Sequence, residues 1–330
     1  MQASNHIPGL APHGAGDPID WDAPEITIFL HAALDEDIGA GDLTARALVP
    51  AEARANAQIL ARRELTLAGL PLAERIFRAL DPAFRFEARF AEGQPVPAGS
   101  VVANLDGLTR GILTAERTAL NLLAHLCGVA TLTRRFVDAT AATRTRIRDT
   151  RKTLPLLRRL EKYAVRLGGG VNHRMGLYDA MLIKENHIAA AGGVRQALER
   201  ARRFLPSPVH AAAGPEMTAY ESFAPPESSP WEERVDVQIE VRNEAELREA
   251  LAAGAASVLL DNQSAGEAAR LVALARGLRP GCVLEISGGV TLENIRGYAA
   301  AGADYISVGA LTHSAPAADL SLLVEGPRRG

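Results

Sequence analysis

The second half of the chain constrains the fold most. Residues 235–241, 257–260, 283–286 and 305–308 are short, mostly apolar runs spaced roughly 20 to 26 residues apart. Alanine-rich helical patterns lie between them, and alternating strand with helix is the order that builds a parallel sheet. Asn243 reads as an N-cap with Glu246 three residues on. The run Ala252-Ala253-Gly254-Ala255, ahead of the strand ending at Asp261, is echoed by Ala300-Ala301-Gly302-Ala303 ahead of the strand ending near Gly309. Each glycine is predicted to end a helix and turn the chain into the next strand. Serial units joined in this way favour an α/β barrel over a doubly wound sheet.

The first half has a different texture. Residues 1–22, with Pro8, Pro12, Gly14, Gly16 and Pro18, read as a flexible extension. Residues 23–127 mix helix and strand. Helices are predicted over 26–34 and 72–80, and strands over 55–60 and 65–68. Residues 84–90 alternate apolar and polar, as a half-buried strand does. Leu113, Leu120, Leu123, Ala124 and Cys127 share one helical face, with Gly128 placed to end that helix, and Arg117 lies on another face. The βα region then runs over 128–315. It is interrupted at 206–233 by six prolines, too long a connection for a compact domain. A surface insertion is the default reading and a cover over the site the alternative.

Charge narrows the ligand. The 330 residues carry a net charge of only −3, yet between Arg134 and Arg174 twelve Arg or Lys face only Asp138, Asp149 and Glu161. A local excess within a near-neutral protein suits a compact anion better than nonspecific nucleic-acid binding. Arg158, Arg159 and Lys162 are read equally well as a solvated helix face. Cys127 and Cys282 are too few for a disulfide framework and have apolar neighbours, so reduced core residues are expected. No apolar run approaches membrane-spanning length, and the N-terminus lacks the order of a signal peptide, so a cytoplasmic protein is expected.

In a βα barrel the ligand-handling residues lie at the C-terminal ends of strands. Arg151 and Lys152 follow Ile147, Lys184 follows Leu182-Ile183, and Glu240 falls late in its strand. Asp261 follows Val258-Leu259-Leu260, Ser287-Gly288-Gly289 follows Leu284-Glu285-Ile286, and Gly309-Ala310 follows Val308. Arginine offers two-point hydrogen bonding to carboxylate, so Arg117, Arg151 and Arg174 suit planar carboxylates, with Lys152 and Lys184 as point charges. Glu240 and Asp261 are hard oxygen donors for Mg²⁺ or ribose hydroxyls. The glycine turns let backbone N–H groups approach phosphate oxygens. His173 is open to three readings, a general acid, a donor to a carboxylate or a structural histidine, with the donor role favoured. No Ser-His-Asp arrangement, CxxC pair or HExxH motif is present, so hydrolytic triads and zinc chemistry lack support.

Taken together these residues resemble a known family, quinolinate phosphoribosyltransferase, also called nicotinate-nucleotide pyrophosphorylase (carboxylating). The matching stretches begin with Glu36-Asp37-Ile38-Gly39-Ala40-Gly41-Asp42-Leu43-Thr44, Glu116-Arg117-Thr118-Ala119-Leu120-Asn121 and Asp149-Thr150-Arg151-Lys152-Thr153. They continue through residues 168–174, 182–187, Leu260-Asp261-Asn262, Ser287-Gly288-Gly289 and 308–314, in the family's order. The resemblance implies an N-terminal α/β sandwich, completed by residues 316–330, and an incomplete seven-stranded α/β barrel. It implies a homodimer, or a larger assembly built on it, in which Arg117 serves the neighbour's site. Thr150, Arg151, Lys152, His173, Arg174 and Lys184 would surround quinolinate. Glu240 and Asp261 would meet the ribose and Mg²⁺ of phosphoribosyl pyrophosphate, and Ser287, Gly288, Gly289, Val308, Gly309 and Ala310 its phosphate. Lys152, Lys184, Glu240 and Asp261 would carry the chemistry.

Two departures stand out. Where the family often has Pro-Gly, this chain has Leu154-Pro155-Leu156-Leu157, a change expected to alter loop packing more than chemistry. Gln238 stands where another acidic residue is common, which bears on metal affinity. The implied activity is ribosyl transfer to quinolinate with decarboxylation. Competing readings are a paralogue acting on a different heterocyclic acid, as in molybdenum-transport-associated relatives, and a nucleic-acid-binding protein. Tyr163 is the only aromatic between Arg144 and Arg166, which argues against the last.

Overall fold

The computed structural model describes residues 19–204 and 236–325. In chain order the elements of the first part are α1 (Pro24–Ile38), α2 (Leu43–Leu48), β1 (Arg54–Ala61), β2 (Leu65–Thr66), α3 (Leu70–Leu80), β3 (Arg85–Ala88), β4 (Pro95–Val96), β5 (Val101–Leu108) and α4 (Thr109–Thr140). Next come β6 (Arg146–Arg148), α5 (Arg158–Leu167), β7 (Met181–Ile183), α6 (Glu185–Ala191) and α7 (Val194–Phe204). The last part holds β8 (Val237–Val241), α8 (Glu244–Ala252), β9 (Ser257–Asp261), α9 (Ala265–Leu278), β10 (Val283–Ser287), α10 (Ile295–Ala300), β11 (Tyr305–Ser307), α11 (Ala310–His313) and β12 (Leu320–Val324). The expected insertion at 206–233 lies outside the described residues, as does the extension up to residue 18. Residues 19–22, assigned to that extension from sequence, are structured: Ile19 is buried and Trp21 meets Tyr163 edge-on at 5.4 Å.

The chain divides into two compact units. Among the described residues, one holds 19–139, 147–173 and 309–325, the other 140–146, 174–204 and 236–308. In the first, an antiparallel sheet runs β12-β1-β5-β3. The strict alternation of β1 buries Ala55, Ala57, Ile59 and Ala61 and turns the intervening side chains outward. β12 pairs with β1 over residues 320–324, so the C-terminal segment is an edge strand of this sheet. Residues 84–90 are a shorter and wetter strand than their alternation suggested. β3 is mostly exposed, and only Phe84, stacked on Phe77 at 5.0 Å, reaches the core.

Gly128 does not end a helix. α4 continues through it to Thr140, because a side chain is excluded there for another reason: a Cβ would lie 2.2 Å from the Pro316 carbonyl oxygen. Gly128 is thus the notch that lets the C-terminal segment cross α4, where Ala318 N–H donates to Ala124 O. The run Gly168-Gly169-Gly170 has a similar role. A Cβ on Gly168 would strike Ala130 O at 2.5 Å, and one on Gly170 would strike Thr133 and Val165 at 2.8 Å. Those glycines let the end of α5 close on α4.

In the second unit β7, β8, β9, β10 and β11 form a parallel sheet in that spatial order. Arg146, which opens β6, joins its edge by donating to Asp304 O at 3.0 Å. The resemblance implies seven strands; the seventh is reduced to a single parallel bridge between Val171 and Arg148. The register places Ile239, Val241, Val258, Leu260, Leu284, Ile286 and Ile306 on one face, all buried. α8, α9 and α10 supply Leu247, Leu271, Val272 and Ile295 to this core. Gln238, Glu240, Asp261, Glu285, Ser287 and Ser307 share the other face. Asn243 caps α8 by accepting from Glu246 N, as its position in the sequence indicated.

Candidate active site

Each unit carries its own group of the residues singled out from sequence. In the second unit, Lys184, Glu240, Asp261 and Ser287 stand at or just past the C-terminal ends of β7, β8, β9 and β10. Lys184 Nζ lies 3.5 Å from Glu240 Oε2, the ammonium half-exposed and the carboxylate mostly covered. Burial pushes the Glu240 carboxyl above the usual carboxylate range, and the Asp261 charge adds to the rise while Lys184 opposes it. His187 fixes the Lys184 backbone by accepting from its N–H at 3.0 Å.

The loops after β9 and β10 interlock. Asn262 takes a left-handed φ of 52° and donates its N–H to Ser287 O, while Gly288 has φ 98°. A Cβ on Gly288 would sit 2.3 Å from Asn262 Oδ1, so this glycine is demanded by the loop itself. Gly289, with φ 61°, has open space around it. Arg174 is buried and donates to Ala180 O at 2.9 Å. Asp179 holds the same loop through Met175 N and Gly176 N.

In the first unit the basic segment is bound to α5 and α11. Thr150 Oγ1 accepts from Lys152 N at 3.0 Å, and Lys152 O accepts from Thr312 Oγ1 at 2.8 Å. Gly309 leaves room for Lys152, whose Cδ would lie 3.1 Å from a Cβ there. Lys152 and the Gly309-Ala310 turn are therefore neighbours. Arg151 has a buried Nε–H with no acceptor among the described residues. Leaving such a donor unmatched costs about 1–3 kcal/mol, which a ligand carboxylate would recover. Arg117 is exposed on α4, on a different face from buried Ile112, Ala115, Ala119 and Leu123.

Sequence left Arg158, Arg159 and Lys162 as possible solvated residues, and the structure separates them. Arg159 is exposed and paired with Glu25. Arg158 donates to Thr153 Oγ1 at 2.9 Å. Lys162 is fully buried against Asp149, with Nζ to Oδ1 at 2.5 Å. Glu161 lies with Leu160, Ala164 and Val165 on the buried face of α5, whereas Lys162 is buried off that face. Both cysteines are free and buried. Burial pushes the Cys127 thiol up to about 12 and the Cys282 thiol up to about 11, so neither is a nucleophile at neutral pH.

Comparison with known proteins bears on the whole chain. The profile for the N-terminal domain of quinolinate phosphoribosyl transferase matches residues 42–127, and that for the C-terminal domain matches 129–224 and 224–323. A nicotinate-nucleotide pyrophosphorylase (carboxylating) of Mycobacterium leprae is 39% identical over 310 residues, covering 92% of this chain and 98% of that protein. A quinolinate phosphoribosyltransferase (decarboxylating) of Nicotiana tabacum is 36% identical, covering 90% of this chain and 81% of its own. The solved nicotinate-nucleotide pyrophosphorylase of Francisella tularensis superposes with a TM-score of 0.78 at 38% identity, covering 91% of this chain and 96% of that one.

Proposed function

The chain belongs to the quinolinate phosphoribosyl transferase family, and from that premise we propose how its residues divide the work. The reaction transfers the phosphoribosyl group of phosphoribosyl pyrophosphate to quinolinate and releases pyrophosphate and CO₂. The product is nicotinate mononucleotide, on the de novo route to NAD. Quinolinate nitrogen forms a bond to the anomeric carbon as the bond to pyrophosphate oxygen breaks. The ring carboxylate beside the nitrogen then leaves as CO₂. Its electron pair stays on the ring carbon, stabilised by the adjacent pyridinium until it takes up a proton.

No protein nucleophile is needed, so catalysis rests on placement and charge. Arg151, Lys152, His173, Arg174 and Lys184, with Thr150, are assigned to the two carboxylates. The unmatched Nε–H of Arg151 supports this reading most directly. Glu240 and Asp261 are assigned to the ribose. Ser287, Gly288, Gly289, Val308, Gly309 and Ala310 are assigned to phosphate.

Mg²⁺ fits the donor set in a limited way. Among the described residues no group of three or more His, Cys, Asp or Glu could hold a metal. Mg²⁺ commonly uses only one or two carboxylates and completes its shell with substrate phosphate and water. Glu240 and Asp261, on neighbouring strands, would hold it in that manner. When bound it neutralises the departing pyrophosphate. Gln238, in place of a further acid, donates to Glu285 Oε2 at 2.9 Å and adds no charge.

Arg117, exposed on α4, is assigned to the site of a second copy in a homodimer. Among the described residues no helix is long and apolar enough to cross a membrane. A panel of pyridine mono- and dicarboxylic acids offered with phosphoribosyl pyrophosphate tests the assignment. Quinolinate is expected to be consumed in preference to the monoacids, and a preference for another heterocyclic acid would overturn it.

A further inference from the structure

The geometry assigns Lys162 and Asp149 the role of positioning residues for His173, an inference that rests on the quinolinate-binding reading above. Both side chains are fully buried, and together they hold the two sides of one residue's main chain. Asp149 Oδ1 accepts the His173 N–H at 2.8 Å, and Lys162 Nζ donates to the His173 carbonyl at 2.8 Å. The pair is closed on itself by Lys162 Nζ to Asp149 Oδ1 at 2.5 Å. Asn172 locks it from the side, its Nδ2 donating to Asp149 Oδ2 at 2.5 Å and to Lys162 O at 2.9 Å.

The same helix holds the basic segment at its other end. Glu161, next to Lys162 and equally buried, accepts from Leu154 N at 3.2 Å and meets His125 Nε2 at 2.8 Å. Arg158, one turn earlier, reaches Thr153 Oγ1 and Arg151 O. One short helix therefore holds the backbone at 151, 154 and 173 and the side chains of Asp149 and Thr153, around the cations assigned to carboxylate binding.

Packing alone does not explain this choice of residues. Replacing a buried ion pair with apolar groups of similar volume is often neutral or stabilising. What an apolar pair could not do is donate to one side of the His173 peptide while accepting from the other. The ion pair thus sets the angle at which His173 is presented, and a displacement of about 1 Å at a binding group is enough to weaken productive binding strongly.

The test compares the full-length wild type with Lys162→Met, the Asp149→Asn/Lys162→Met double variant and His173→Ala. Quinolinate and phosphoribosyl pyrophosphate affinities are measured separately by calorimetry, alongside the thermal midpoint. Lys162→Met leaves a buried carboxylate without its cation and is open to failure to fold. The double variant removes both charges and keeps an acceptor for the His173 N–H. It is expected to keep its midpoint within about 5 °C of wild type and to lose roughly 10- to 100-fold in quinolinate affinity, with phosphoribosyl pyrophosphate affinity within about twofold. A purely structural role would move both affinities together, and that result overturns the inference. Wild-type quinolinate affinity in the folded double variant, with His173→Ala weakened, overturns the positioning role and leaves the site assignment standing. Wild-type quinolinate affinity in His173→Ala overturns both.

Discussion

At the residue scale, Leu156 shows what a departure from the family pattern costs. Leu154-Pro155-Leu156-Leu157 closes a turn, Leu157 N–H to Leu154 O at 3.2 Å, and Leu156 is held at φ 68°. That conformation favours glycine at the third position of a turn with proline second. Leu156 is 88% exposed, so little burial repays the strain. Leu156→Gly is expected to stabilise the fold by about 0.5–1 kcal/mol, the left-handed penalty less the added chain entropy; urea unfolding checks it. Glu240 gives a second case. Its carboxyl keeps its proton to higher pH folded than unfolded, so stability falls as pH rises through that window. Glu240→Gln should unfold at a higher temperature than wild type at pH 7, the gain shrinking toward pH 4, while turnover drops. A lower midpoint at pH 7 would show that the Lys184 contact outweighs burial. For Arg174→Ala the expectation is a loss of roughly 2–4 kcal/mol of transition-state stabilisation, read from kcat/KM for quinolinate. The identities of these residues were legible in the sequence because Arg, Lys and carboxylate chemistry is distinct. The sequence left Lys162 open between a ligand-binding cation and a solvated helix face, and its burial was not legible because its partner, Asp149, is thirteen positions away and helical periodicity reports no such contact.

At the scale of elements, glycines in the two halves do opposite things. Gly128 lies inside α4 where the backbone of Pro316 passes, and a glycine within a helix looks the same in sequence as one that caps it. Gly128→Val should cost about 1–3 kcal/mol by overpacking, with faster amide exchange across β12. Gly277, near the end of α9, has nothing within 4 Å of a Cβ. Gly277→Ala is expected to stabilise by about 0.5–1 kcal/mol, since the helix gains a better former at no steric cost. The βα rhythm of the second half was legible because its strands are buried on both faces and read as apolar runs. The first sheet was harder to see, since β12 pairs with β1 across most of the chain's length and β3 buries almost nothing.

At the scale of the whole molecule, the proposed loan of Arg117 to a second copy makes activity a property of the pair. Arg117→Ala and Lys152→Ala homodimers should each be nearly inactive. Subunits exchanged between them should regain about a quarter of wild-type activity, because half of a random mixture is hybrid and each hybrid holds one intact site. No recovery on exchange would place Arg117 in its own subunit's site or in none. The central claim, phosphoribosyl transfer coupled to decarboxylation, is tested most directly by the quinolinate-dependent release of pyrophosphate and CO₂ from the purified protein. With Mg²⁺ and phosphoribosyl pyrophosphate the two products should appear in equal amounts, and omitting Mg²⁺ should suppress both. Pyrophosphate without CO₂, or neither product, would contradict it.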